Sequence, residues 1–213
     1  MAWLRSNLDR LLEQQATYEL TQRLTQFGSA DLQRLFREYV DDREYDSVLE
    51  LGCGTGRWPV TRFRRFVRTD INARYFPRAA SPGVEYRLVD ATNLSCFEDS
   101  SFDLVYSFGL YHHLPDEAVL ASLKESHRLV AGRGRVVVFD AILPTRRFNL
   151  LGQVLRALDR GQWIRSLAHS SSLMTRAGLM PARMSHCMWG PLLEGCYFDL
   201  KCSTPAPRSA SPC

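Results

Sequence analysis

The chain has 213 residues, 45% of them hydrophobic and 23% charged, close to the average for globular proteins, which excludes disorder throughout. Lys+Arg of 27 against Asp+Glu of 23 gives a net charge of +4, too mild to imply nucleic acid by itself. No apolar run reaches the roughly 18–20 residues that cross a bilayer, and Met1-Ala2-Trp3-Leu4-Arg5 is polar where a secretory signal needs an apolar stretch, so a cytoplasmic location is expected.

In chain order, Leu4, Leu8, Leu11, Leu12, Leu20, Leu24 and Phe27 recur at helical spacing over residues 3–27. Gly28-Ser29 interrupts, and Asp31 can cap a second helix carrying Leu32, Leu35, Phe36 and Tyr39. From Ser47 the character changes. Val48-Leu49-Glu50-Leu51 runs into glycines in the manner of a buried parallel strand. Further strands are expected at Arg65–Ile71, Glu85–Val89, Phe102–Phe108 and Arg135–Ala141, with a helix at Asp116–Leu129 stopped by Gly132 and Gly134. After Pro144 come a helical stretch near residues 148–159 and another leading to Ala177-Gly178. Arg183–Trp189 and Cys196–Lys201, joined by Gly190-Pro191 and Gly195, suit a terminal hairpin. Residues 203–213 are rich in Pro, Ser and Ala and read as a loose tail. The six cysteines form no CxxC pair and read as free thiols, with no metal site expected.

The most informative stretch is Glu50-Leu51-Gly52-Cys53-Gly54-Thr55-Gly56-Arg57. Alternate glycines after a strand let the backbone turn sharply and approach a ligand unobstructed. Asp70, 18 residues beyond Gly52 at the end of the second strand, can accept hydrogen bonds from ribose hydroxyls. The dinucleotide fingerprint needs Gly or Ala where Arg57 stands, which argues against a nicotinamide oxidoreductase. No Gly-Lys-Ser/Thr follows, so a phosphate loop fails too.

Glu50–Gly56 resembles the first motif of class I S-adenosylmethionine-dependent methyltransferases, in the branch grouped around small-molecule and quinone-biosynthesis enzymes. The resemblance continues in order through Thr69-Asp70-Ile71, Val89-Asp90-Ala91, Phe102-Asp103-Leu104-Val105, Tyr111-His112-His113-Leu114-Pro115-Asp116 and Val130–Phe139. It implies that Gly52, Gly54 and Gly56 turn beside the methionine part of S-adenosylmethionine and that Glu50 faces its amino group. It further implies that Asp70 holds the ribose, with Ile71 packing on the adenine. Asp90 would meet the adenine amino group, Ala91 lie beside the ring, and Ser107 and Phe108 flank the methionine and sulfonium. The 14 residues from Gly56 to Asp70, with Pro59 among them, leave room only for a short helix between the first two strands.

His112 and His113 fall just beyond the fourth strand, at the ligand-binding edge of such a sheet, and neutral histidine accepts protons near physiological pH. They are the candidate catalytic residues. Arg62, Arg64, Arg65 and Arg68 are interleaved with Phe63, Phe66 and Val67, a pattern of solvated strand ends. Ser107-Phe108-Gly109-Leu110 stands where amino-directed nucleic-acid methyltransferases carry Asn/Asp-Pro-Pro-Tyr/Phe, which disfavours exocyclic base amines as acceptors, and nucleic acid is not the expected partner.

The expectation is therefore a helical N-terminal cap over residues 1–44, an S-adenosylmethionine-binding α/β domain over 45–202 and a flexible tail over 203–213. By the resemblance, the domain holds a Rossmann-like, seven-stranded, mostly parallel sheet with helices on both faces and an antiparallel strand from the final hairpin. The expected activity is methyl transfer to a small-molecule metabolite. A catalytically silent scaffold that binds a partner, and an RNA or protein methyltransferase, are the alternatives.

Overall fold

The computed structural model describes residues 30–56, 58–143, 163–189 and 193–202. The expected helices over 3–27 and 148–159, the hairpin turn at Gly190-Pro191 and the tail from 203 lie outside these residues. The elements are α1 (Ala30–Tyr39), β1 (Tyr45–Leu51), β2 (Phe63–Asp70), β3 (Val84–Leu88), β4 (Phe102–Phe108), α2 (Asp116–Leu129), β5 (Val130–Ile142), α3 (Leu167–Arg176), β6 (Leu179–Trp189) and β7 (Leu193–Cys202).

One seven-stranded sheet has the order β3-β2-β1-β4-β5-β7-β6. The four pairings from β3 to β5 are parallel, whereas β7 runs antiparallel to both β5 and β6. The sheet is thus mixed. Chain order reverses between β1 and β4, where the connections leave in opposite directions and open a crevice beyond the strands' carboxyl ends.

The strand sequences follow from two-sided burial. Val48 and Leu49 of β1 are both fully buried on opposite faces, which is why β1 shows an apolar run instead of alternation. On one face Leu32, Leu35, Phe36 and Tyr39 of α1 pack with Val48, Phe66, Leu104, Tyr106, Phe139 and Tyr197. On the other, Val119, Leu123 and Leu129 of α2 and Leu173 and Met174 of α3 pack with Leu49, Val105, Val138 and Phe198. Leu32, Leu35, Phe36 and Tyr39, the residues expected on the helix after Gly28-Ser29, are all buried.

Three expectations are corrected. No helix joins β1 to β2 among the described residues: the backbone there is tied instead to Asp41, which accepts from the Thr61 N–H (2.9 Å) and hydroxyl (2.7 Å), and to Tyr106, whose hydroxyl donates to Trp58 O (2.8 Å). Pro59 removes an amide donor from a segment too short to recover the cost of a helical nucleus. β5 begins directly at Val130, so Gly132 and Gly134 lie inside a strand instead of ending the helix. Gly195 belongs to β7, opposite Ala141, where a Cβ would come within 2.6 Å of Phe139. Its absence of side chain serves a close strand-to-ring approach and not a turn.

Candidate functional site

The glycine turn leaves β1 with Gly52, Gly54 and Gly56 at φ of 65°, 52° and 74°, a left-handed region that side chains disfavour. A Cβ on Gly52 would stand 2.7 Å from Leu110 Cδ1, and one on Gly56 2.6 Å from Arg68 Nη1. Asp70, at the carboxyl end of the neighbouring β2, fixes the turn: Gly54 N–H donates to its Oδ2 (2.8 Å) and Asn72 N–H to its Oδ1 (2.9 Å). Burial pushes the Asp70 carboxyl above its ordinary value, and these amides offset part of the rise. The turn and the acid are therefore one unit, joined across two parallel strands at the crevice.

Glu50 is 2% exposed and sits opposite Arg68 in the β1–β2 register. Arg68 donates through Nε to Glu50 Oε2 (2.6 Å) and through Nη1 to Gly56 O (2.9 Å). Burial raises the Glu50 carboxyl to about 6, with the Arg68 charge holding it from going further. The structure thus places Glu50 beneath the turn as the partner of Arg68. Arg68, expected among arginines at solvated strand ends, is instead 4% exposed, because its guanidinium is paired with Glu50 beneath the turn.

The other expected positions surround this unit. Ile71 is 73% exposed and Leu88, which pairs with Asp70, is 63% exposed, so two apolar side chains stand in solvent beside the acid. Asp90 is exposed and accepts from the Thr92 N–H and hydroxyl, both at 2.8 Å, while Ala91 is buried. Ser107 is buried at the end of β4, and Phe108 stacks on Trp58 with centroids 4.5 Å apart.

The two histidines part company. His113 is exposed. His112 is buried, its Nδ1 hydrogen-bonded to the Asp140 carboxylate of β5, and its carbonyl accepts from Trp163 N–H (3.0 Å). Asp140 too went unnoticed in the sequence, since an acid on a strand carries no signal until the neighbour of that strand is known. Arg165 locks the surroundings, donating to Tyr111 O (2.8 Å), Leu114 O (2.6 Å), Trp163 O (2.9 Å) and Asp116 Oδ1 (2.7 Å).

Residues 48–134 match a family model described as a methyltransferase domain. Over 106 residues the chain is 29% identical to a protein of Mus musculus named probable tRNA methyltransferase 9B and 27% identical to the Bos taurus protein of the same name, covering 48% of this chain in each case. The chain spans about a quarter of the length of these relatives, 24% and 23%. Among solved structures, the Burkholderia thailandensis 1,6-didemethyltoxoflavin-N1-methyltransferase, with 1,6-didemethyltoxoflavin and S-adenosylhomocysteine bound, is similar at a TM-score of 0.65 and 14% identity, over 95% of this chain and 88% of that one. A complex of the Haloferax volcanii Trm112 methyltransferase activator with a methyltransferase gives 0.68 at 14% identity, over 95% and 100%. The [4+2]-cyclase SpnF gives 0.62 at 13%, over 80% and 79%. These structural likenesses are likenesses of fold.

Proposed function

We propose that the protein transfers a methyl group from S-adenosylmethionine to a small organic acceptor. One observation carries the reading: at the reversal of strand order, a turn of three glycines with positive φ is held open by a carboxylate on the next strand, Gly54 to Asp70 at 2.8 Å. Side chains at Gly52 or Gly56 would collide with Leu110 or Arg68, so the turn stays free of Cβ atoms where the methionine end of the donor would lie. Asp70 would hold the ribose hydroxyls. Ile71 and Leu88, both exposed beside Asp70, would offer the adenine an apolar face, and Asp90 and Ala91 would meet the ring. Ser107 and Phe108 would flank the methionine, and Glu50 would approach the amino group while sharing its carboxylate with Arg68. Bound there, the donor supplies a methyl on a cationic sulfur that departs as a neutral thioether. The chain's own task is to align the acceptor and exclude water.

The small-acceptor reading draws support from Ser107-Phe108-Gly109-Leu110, which lacks the base-amine motif. An RNA acceptor is the second reading, favoured by the 29% identity to the tRNA methyltransferase relative. Calorimetric titration with S-adenosylmethionine tests the donor. Asp70→Ala is expected to weaken binding by about 1–3 kcal/mol, roughly 5- to 150-fold, and Gly54→Arg to abolish it in a folded protein. Unchanged affinity in both defeats the assignment. Isotope-labelled donor offered in parallel to total RNA and to a deproteinised metabolite extract decides the acceptor by which pool gains the label.

A further inference from the structure

We infer that the outer edge of β3 pairs with the β3 of a second copy of this chain, antiparallel about Tyr86, in a dissociable dimer. The inference goes beyond the methyl-transfer reading and does not depend on it.

β3 ends the sheet, and among the described residues no strand lies on its outer side. Its inner side is fixed at both ends: Phe66 N–H donates to Gly83 O (2.9 Å) and Val89 N–H to Asp70 O (3.1 Å). In a parallel ladder, residues that bond to one neighbour alternate with residues whose backbone faces away. Gly83, Glu85, Arg87 and Val89 therefore serve β2, and Val84, Tyr86 and Leu88 direct their backbone groups outward. The Val84 N–H is taken by Ser81 O (3.0 Å). The outward groups that remain include the N–H of Tyr86 and Leu88 and the C=O of Val84 and Tyr86. Two copies opposed about Tyr86 match these groups one to one. Each Tyr86 N–H donates to the partner's Tyr86 O, and each Leu88 N–H to the partner's Val84 O.

The side chains select this register. Glu85 falls opposite the partner's Arg87, and Arg87 opposite the partner's Glu85, at the non-hydrogen-bonded positions where facing side chains come closest. Moving the two-fold axis to Glu85 sets Glu85 against the partner's Glu85, and moving it to Arg87 sets two arginines against each other. Like charges directly opposite are destabilising. Leu88, 63% exposed, borders the partner's Val84 on one side and the face proposed for the adenine on the other.

Within one strand Glu85 and Arg87 already meet at 2.6 Å, with side chains 45% and 36% exposed. Exposed ion pairs contribute little affinity. Here they set the register, while the four backbone bonds and the apolar strand ends hold the copies together. An edge kept apart by charge carries one sign, which repels a second copy. β3 carries one of each, at the spacing that complements itself. A two-fold pair consumes both β3 edges and so closes at the dimer. Two seven-stranded sheets joined in this way stay within the size of known open sheets, about 8–15 strands.

The test is sedimentation equilibrium of the full chain at micromolar concentrations. The wild type is expected to approach twice its 24.4 kDa. Glu85→Arg alone and Arg87→Glu alone each set like charges opposite one another at both symmetric positions, and each is expected to weaken association about tenfold or more. An equimolar mixture of the two variants is expected to associate as the wild type does, since every facing pair then joins a cation to an anion. Variants that fail to fold cannot give this recovery. A wild type that stays at 24.4 kDa overturns the inference. So do single variants that associate like the wild type, and a mixture that stays monomeric.

Discussion

At Glu50 two opposed demands meet on one carboxyl. Burial favours its neutral form and Arg68 its charged form, with the balance near 6 against an ordinary 4.5. The folded protein therefore keeps this proton to higher pH than the unfolded chain does. The associated stability is complete below about 4.5 and is lost as pH rises through 6. Arg68→Met leaves the carboxylate buried without its cation, so unfolding in urea at pH 8 is expected to show a loss of about 3–5 kcal/mol. The loss should narrow at pH 5, where Glu50 takes up a proton; a deficit independent of pH refutes the account. That Glu50, Gly52 and Asp70 gather at the ends of β1 and β2 was legible in the sequence, because glycines and acids closing apolar runs mark strand ends at fixed spacing. Arg68 and Asp140 were not, because each acquires its meaning from a distant partner: Glu50 on the adjacent strand, 18 positions away, and His112 in the turn after β4, 28 positions away. His112 and His113 looked equivalent for the same reason, and only the place of β5 beside β4 separates them.

Elements with a period were read well: the helices at Ala30 and Asp116 declare their buried stripes, and β1 and β4 their apolar runs. Connections were read poorly, because their backbone bonds go to distant side chains. The β3–β4 link has no helix. Leu94 and Phe97 anchor it in the core, and Arg128 of α2 donates to Leu94 O and Phe97 O, both at 3.0 Å. Arg165 does the same for the turn after β4. Arg165→Met orphans three carbonyls and is expected to cost on the order of 3 kcal/mol in urea unfolding. Asp116, held below its ordinary value first by Arg165 and also by His169, lends stability that is present above pH 3.8 and lost as pH falls. Part of that acid dependence should vanish in the variant. At β7, Gly195→Ala presses a methyl against Phe139 and is expected to destabilise by about 1–3 kcal/mol, read as a fall in melting temperature without loss of the fold.

Across the whole molecule, stability is expected to be graded. β1 and β4 lie in the interior of the sheet and hold Val48, Leu49, Leu104 and Val105 fully buried, whereas β3 is a five-residue edge with no buried residue. Amide hydrogen exchange should be slowest in β1 and β4, at the limit of global unfolding, and fastest among the strands in β3; equal protection in β3 and β1 would contradict this. The seven-strand count and the antiparallel strand came from the resemblance and not from any single segment, since pairing is a property of the whole chain. The antiparallel β7 has a further effect: by running against β5 it brings Glu194 alongside Ile142, at the same rim as His112 and Asp140. Under the proposed function the donor-side groups hang on β1, β2 and β3, apart from the antiparallel wing of β5, β7 and β6. Substitution on that wing is then expected to change which acceptor is labelled while titrated donor affinity stays constant.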